Sequence, residues 1–101
     1  MRVIVLFDLP VVTPEDRKAY RTFRRFLIKS GFVMVQESVY SKIALNGTAA
    51  RAIQGKVREN RPPAGLVQMI TLTEKQYNNM EFVVGEKTDN VVDSDERLVV
   101  L

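Results

Sequence analysis

Residues 3–10 read VIVLFDLP. Five apolar residues, Val3 to Phe7, run into a single carboxylate, Asp8, and then into Leu9-Pro10. A short β-branched run closed by proline predicts a buried strand over residues 2–8. Val3, Val5 and Phe7 share one side of that strand, and Ile4 and Leu6 the other. A strand apolar on both sides needs cover on both. Asp8 ends it with two readings left open by the residues themselves: a good turn former, or a group that binds something.

Outward from this strand, Thr13-Pro14-Glu15-Asp16 is a helix start. Thr13 serves as N-cap, Pro14 takes the first helical position, and acids fill the first turn. The helix is predicted to run to about Ser30 and to stop at Gly31. In FVMVQESVYSKI (32–43), Val33 and Val35 share a face with Glu37, and the apolar set resumes at Val39. Gln36-Glu37-Ser38 therefore marks a bulge or tight reversal between strands 32–36 and 38–44, a hairpin. Asn46-Gly47-Thr48 opens a second helix to about Asn60, with Ala49, Ile53 and Val57 on one stripe and Gly55 weakening its interior. Arg61-Pro62-Pro63-Ala64-Gly65 ends it. Residues 66–73 form a fourth strand, and Thr73-Glu74-Lys75-Gln76 is a capping box for one short helical turn. Glu81 to Gly85 is predicted as a fifth short strand, 86–96 as an acidic loop, and RLVVL (97–101) as a last apolar strand.

This order predicts one α+β domain over 1–101: a ferredoxin-like βαββαβ unit with additional C-terminal strands, two helices covering one face of an antiparallel sheet. The other face stays open, and the tail is too apolar to stand free. A homodimer formed through the sheet, with the last strand pairing onto a neighbour, meets both demands. A tail that completes its own sheet is the alternative.

Composition narrows the chemistry. The chain has no cysteine and no histidine, which removes disulfides, thiolate metal sites, imidazole bases and nucleophilic triads. Any metal has to bind oxygen ligands, pointing to magnesium, manganese or calcium. The apolar run at the N-terminus stops at Asp8 with no cleavage site after it, and no segment has the length of a membrane span. A cytoplasmic protein without membrane partners is expected. Gly47 and Gly55 are isolated, so no phosphate-cradling glycine loop is present.

Net charge is +3 and the pI about 9.4. Its distribution says more. In the first helix Ala19, Tyr20, Phe23, Phe26 and Leu27 fall in one arc, and Arg17, Lys18, Arg21, Arg24, Arg25 and Lys29 fall in the opposite one, interrupted only by Ile28. A solubilising helix face more often mixes signs at i,i+4 spacing. A single-sign stripe rich in arginine fits a ridge that tracks phosphates. Arg51, Lys56, Arg58 and Arg61 extend it from the second helix. No aromatic interleaves with the cations, so backbone contact without base stacking is expected.

Phe7-Asp8 ending the first strand, the basic helix with RTFRRFLIKSGF and then VQESVYSK together resemble the small CRISPR-associated protein two family. Gln36, Ser38, Val39 and Tyr40 behind the N-terminal Asp form its most specific combination, and LFDLPV with the tail looks most like the type II-A branch. The resemblance implies a ferredoxin-like homodimer in CRISPR adaptation that bridges integrase dimers and supports double-stranded protospacer DNA. RLVVL, residues Arg97, Leu98, Val99, Val100 and Leu101, is then the integrase-docking strand. The resemblance also implies a magnesium-dependent endonuclease, acting on RNA or double-stranded DNA, in which Asp8 of each subunit flanks a metal at the dimer axis and is the catalytic residue. Family members often have Tyr where Phe7 stands, and a polar turn where Leu9-Pro10-Val11-Val12 is apolar. Both departures bear on hydrolysis rather than on the fold. Glu37 sits at the hairpin, and Asp89, Asp93, Asp95 and Glu96 sit in the late loop, so no second acid stands beside Asp8 in the sequence.

Overall fold

The structure is a computed structural model that describes residues 1–86. Its elements are β1 (Arg2–Asp8), α1 (Pro14–Lys29), β2 (Val33–Gln36), β3 (Val39–Ile43), α2 (Gly47–Glu59), β4 (Leu66–Leu72) and α3 (Glu74–Asn78). The four strands form one antiparallel sheet in the order β2-β3-β1-β4, which is the ferredoxin-like arrangement.

Local chemistry sets the boundaries. Thr13 Oγ1 accepts from the Asp16 backbone N–H at 3.0 Å, and Asp16 accepts from the Thr13 N–H at 3.1 Å. This reciprocal cap satisfies two amides that the helix leaves unpaired. Gly31, with φ +95°, turns the chain after α1. Asn46 caps α2 by accepting from Ala49 N–H, and Thr73 with Gln76 caps α3 in the same reciprocal way as Thr13 with Asp16. The hairpin carries its irregularity where the apolar alternation breaks: the register shifts between Met34 and Gln36, and Ser38 turns at φ 69°.

One buried cluster joins the sheet to both helices. Val3, Val5 and Phe7 of β1 and Tyr40 of β3 meet Phe23 and Leu27 of α1 and Ala50 and Val57 of α2. On α2 the deepest residues are Ala50 and Val57; Ala49 and Ile53 pack half-buried at the margin. The opposite face of β1 carries Arg2, Ile4, Leu6 and Asp8, in register with Leu72, Ile70, Gln68 and Leu66 of β4. No helix among the described residues is long and apolar enough to cross a membrane.

Residues 81–85 correct the sequence reading, for they form no strand. After α3 the chain lies across the open sheet face. Tyr77, Asn78, Met80 and Phe82 share a cavity of about 150 Å³ with Val35, which belongs to β2 at the far edge of the sheet. Arg2 anchors the start of this path: its guanidinium lies 4.2 Å from the Tyr77 ring centroid, and its Nε donates to Glu74 at 3.0 Å. A strand at 81–85 needs a backbone ladder along a sheet edge. A segment running over the sheet uses side-chain contact instead, and Met80 and Phe82 supply it. Ile4 is buried although it faces away from α1 and α2. Val33, Ile43, Leu66 and Ile70 stay exposed on that face. The predicted acidic loop from residue 87 onward and the terminal strand 97–101 lie outside the described residues.

Candidate nucleic-acid interface and the first-strand aspartate

All six cations of the α1 stripe, Arg17, Lys18, Arg21, Arg24, Arg25 and Lys29, are exposed, on the side opposite buried Phe23 and Leu27. Among the described residues none of them pairs with a carboxylate. Arg21, Arg24 and Arg25 line a surface depression of about 200 Å³ with Ile28 at its base. Arg17 differs from the others, because its Nη1 donates to the carbonyls of Val12 (2.9 Å) and Val11 (3.3 Å). It splints the β1–α1 loop and keeps its remaining N–H groups for a ligand.

The second helix contributes unevenly. Arg61 joins Lys18 along a groove of about 270 Å³ between α1 and the residues that follow α2, a groove that Glu15 lines as well. Arg61 is held there by donating from Nη1 to the Arg58 carbonyl at 2.9 Å. Arg51 and Arg58 are exposed on α2, with Arg51 Nη2 donating to Thr48 Oγ1 at 3.3 Å. Lys56 turns into a different cavity, where it meets Lys42 of β3.

Asp8 is exposed at the end of β1, on the open face and in register with Leu66. Two neighbours place it. Phe7 N–H donates to the Ser38 carbonyl at 3.1 Å, which ties the β2–β3 turn to the end of β1. Gly65, with φ +98°, lets the loop after α2 press on the same point: a Cβ there would stand 2.9 Å from the Asp8 carbonyl oxygen and 2.7 Å from Leu9 Cδ2. Neither neighbour is visible from the sequence around Asp8. Phe7 itself points the other way. Its ring is stacked with Tyr40 (centroids 5.7 Å apart) and meets Phe23 edge-on (5.3 Å). A hydroxyl absent at Phe7 is thus absent from the helix side of the sheet, not from the face that carries Asp8.

The donor set of one chain does not make a magnesium site. Magnesium asks for an octahedron of oxygens. Among the described residues no group of three or more acidic side chains comes together, around Asp8 or elsewhere. What the described residues offer is a fixed cationic face on α1 and, on the open sheet face, the exposed carboxylate of Asp8.

Residues 1–80 match the family model described as "CRISPR associated protein Cas2". The chain is 56% identical over 101 residues to a "CRISPR-associated endoribonuclease Cas2" of Treponema denticola, with both proteins covered in full. It is 48% identical to the protein of the same name from Streptococcus mutans, covering all of this chain and 93% of that one. Its fold is similar to the crystal structure of Streptococcus pyogenes Cas2 at pH 6.5, with a TM-score of 0.60 over 84% of this chain and all of the other at 20% identity. Sequence and fold thus lead to one conclusion: the chain belongs to the Cas2 family of CRISPR-associated proteins.

Proposed function

We propose that the chain is a homodimeric, duplex-DNA-binding scaffold of the CRISPR adaptation complex, holding protospacer DNA between integrase subunits. The observation that carries this reading is the α1 face: six exposed cations without an acidic partner among the described residues. Such a face binds phosphates and releases their counterions, so it holds duplexes of any sequence. The apolar remainder of the open sheet face, Val33, Ile43, Leu66 and Ile70, supports the dimer. Arg97 to Leu101 dock the integrase by adding a strand to it.

Fluorescence anisotropy on unrelated duplexes across salt concentrations tests the scaffold. If about six phosphates are neutralised, affinity falls by ~10³ between about 50 and 200 mM salt, equally for all sequences. A flat salt response or a preference for one sequence overturns it. Deleting residues 97–101 should leave a folded protein that no longer co-purifies with the integrase.

A second reading is a magnesium-dependent endonuclease with Asp8 as its catalytic residue. The name carried by the relatives favours it, as does the position of Asp8 on the same face as the apolar patch, where a second copy would bring a second Asp8. One chain's own residues do not complete such a centre, so this reading depends on the dimer.

A further inference from the structure

Two of the lysines outside the α1 face come together elsewhere. Lys42, on the helix side of β3, and Lys56, on α2, both line a cavity of about 310 Å³ that also takes in Phe26 of α1. Its apolar lining is Phe26, Phe32 and Ile53, and among the described residues no acidic side chain lines it. Phe32 is buried, and Phe26 is held by stacking on Phe23 with centroids 6.3 Å apart, so the apolar wall is formed in advance of any ligand. Lys42 is held too: its ammonium donates to the Ser30 carbonyl at the end of α1. An ammonium has three donors, so two remain for an anion. Asn60 also lines the cavity, and its Nδ2 donates to the Lys56 carbonyl at 2.9 Å, so Oδ1 is the side-chain atom left to accept.

Two cations, an aromatic wall and one amide acceptor describe a ligand with a phosphate, a flat apolar body and an amino group on it. The volume lies at the small end of ligand cavities and excludes a duplex. We propose that this cavity binds a single nucleoside phosphate, with the base against Phe26, Phe32 and Ile53 and the phosphate between Lys42 and Lys56. Asn60 Oδ1 accepts from an exocyclic amine, so adenine and cytosine are favoured over thymine and uracil. The nucleoside phosphate arrives either free or as an unpaired strand end. The site stands independently of duplex binding by α1.

The test is a ¹⁵N-resolved NMR titration of the full chain with AMP, UMP, ribose 5-phosphate and inorganic phosphate. AMP should shift the amides of Phe26, Phe32, Ile53, Lys56 and Asn60 with a Kd below ~1 mM. Ribose 5-phosphate should bind at least about ten-fold more weakly, the loss of ~1.4 kcal/mol marking the share of the base. Lys56→Glu should weaken AMP by a similar factor and Lys56→Arg should restore it. Ile53→Trp, which fills the cavity, should abolish the shifts; the amide spectrum of each variant reports whether it is folded. Blunt duplex compared with a duplex bearing one unpaired 5′-phosphoadenosine separates the two sources: tighter binding of the overhang than of AMP at these amides marks a strand end, and weaker binding marks the free nucleotide. Equal binding of AMP and inorganic phosphate, indifference to both Lys56→Glu and Ile53→Trp, or shifts confined to α1 arginines overturn it. Tight, salt-sensitive binding of blunt duplex without any of these shifts would refute the cavity while leaving the scaffold reading intact.

Discussion

Gly65 has no side chain, and that is what governs where Asp8 stands. With φ +98° and a Cβ position 2.9 Å from the Asp8 carbonyl oxygen, it admits no side chain without moving the end of β1. Gly65→Ala is expected to cost roughly 1–3 kcal/mol, from the left-handed backbone and the close approach together. Urea unfolding with an unchanged slope measures it. Asp8 is the converse case. It is exposed, and no side-chain hydrogen bond ties it to another described residue, so Asp8→Asn should leave unfolding within about 0.5 kcal/mol of the parent. Duplex affinity and integration in the reconstituted complex should also persist, because the substitution keeps the shape and leaves the cationic face untouched. Any magnesium-dependent cleavage should disappear, since an amide is a weak ligand for a hard cation. Lost integration in a folded, assembled variant would make Asp8 chemistry essential and overturn the scaffold reading.

Helix α1 is where sequence and structure correspond most closely, and the reason is locality. Thr13, Pro14, Asp16 and Gly31 act within a turn of where they stand, and the apolar and basic arcs follow from helical period alone. The same holds for the short capped turn at Thr73 and for the bulge at Gln36. Residues 81–85 were not legible in this way. Whether Glu81–Gly85 forms a strand depends on a pairing partner distant in sequence, whereas its path is set by Val35, Tyr77 and Met80. The meeting of Lys42 with Lys56 beside Phe26 and Phe32 was hidden for a similar reason: those residues come from four parts of the chain. At the scale of the element, function rests on charge. Arg21→Glu with Arg25→Glu, both exposed on α1, should lower duplex affinity for every sequence and flatten the salt dependence by about two to four phosphates' worth of slope. Unfolding should be little changed. Anisotropy at two or more salt concentrations reads both quantities.

At the scale of the whole molecule, the described residues cover one side of the sheet only in part. Tyr77, Met80 and Phe82 shield part of that face, while Ile43 and Ile70 remain at least half exposed, at 60% and 50%. Sedimentation at micromolar concentration should show a dimer, and Ile70→Glu should shift it to monomer while the far-ultraviolet circular dichroism stays unchanged. A monomeric parent protein would remove the dimer from the proposal. The strand order β2-β3-β1-β4 also carries a consequence for biosynthesis. β1 is central, so its two neighbours come from well downstream: Ser41 opposite Ile4 on one side, Ile70 on the other. During translation at about 5–20 residues per second, the most apolar segment of the chain emerges first and waits roughly seconds for its second neighbour. Over that interval VIVLF has one edge unpaired, the sequence type most prone to join another nascent copy. On a polysome, crowding of such half-built sheets favours aggregation, and a chaperone that shelters nascent apolar strands would raise the yield of this protein more than it would for a helical bundle of equal length.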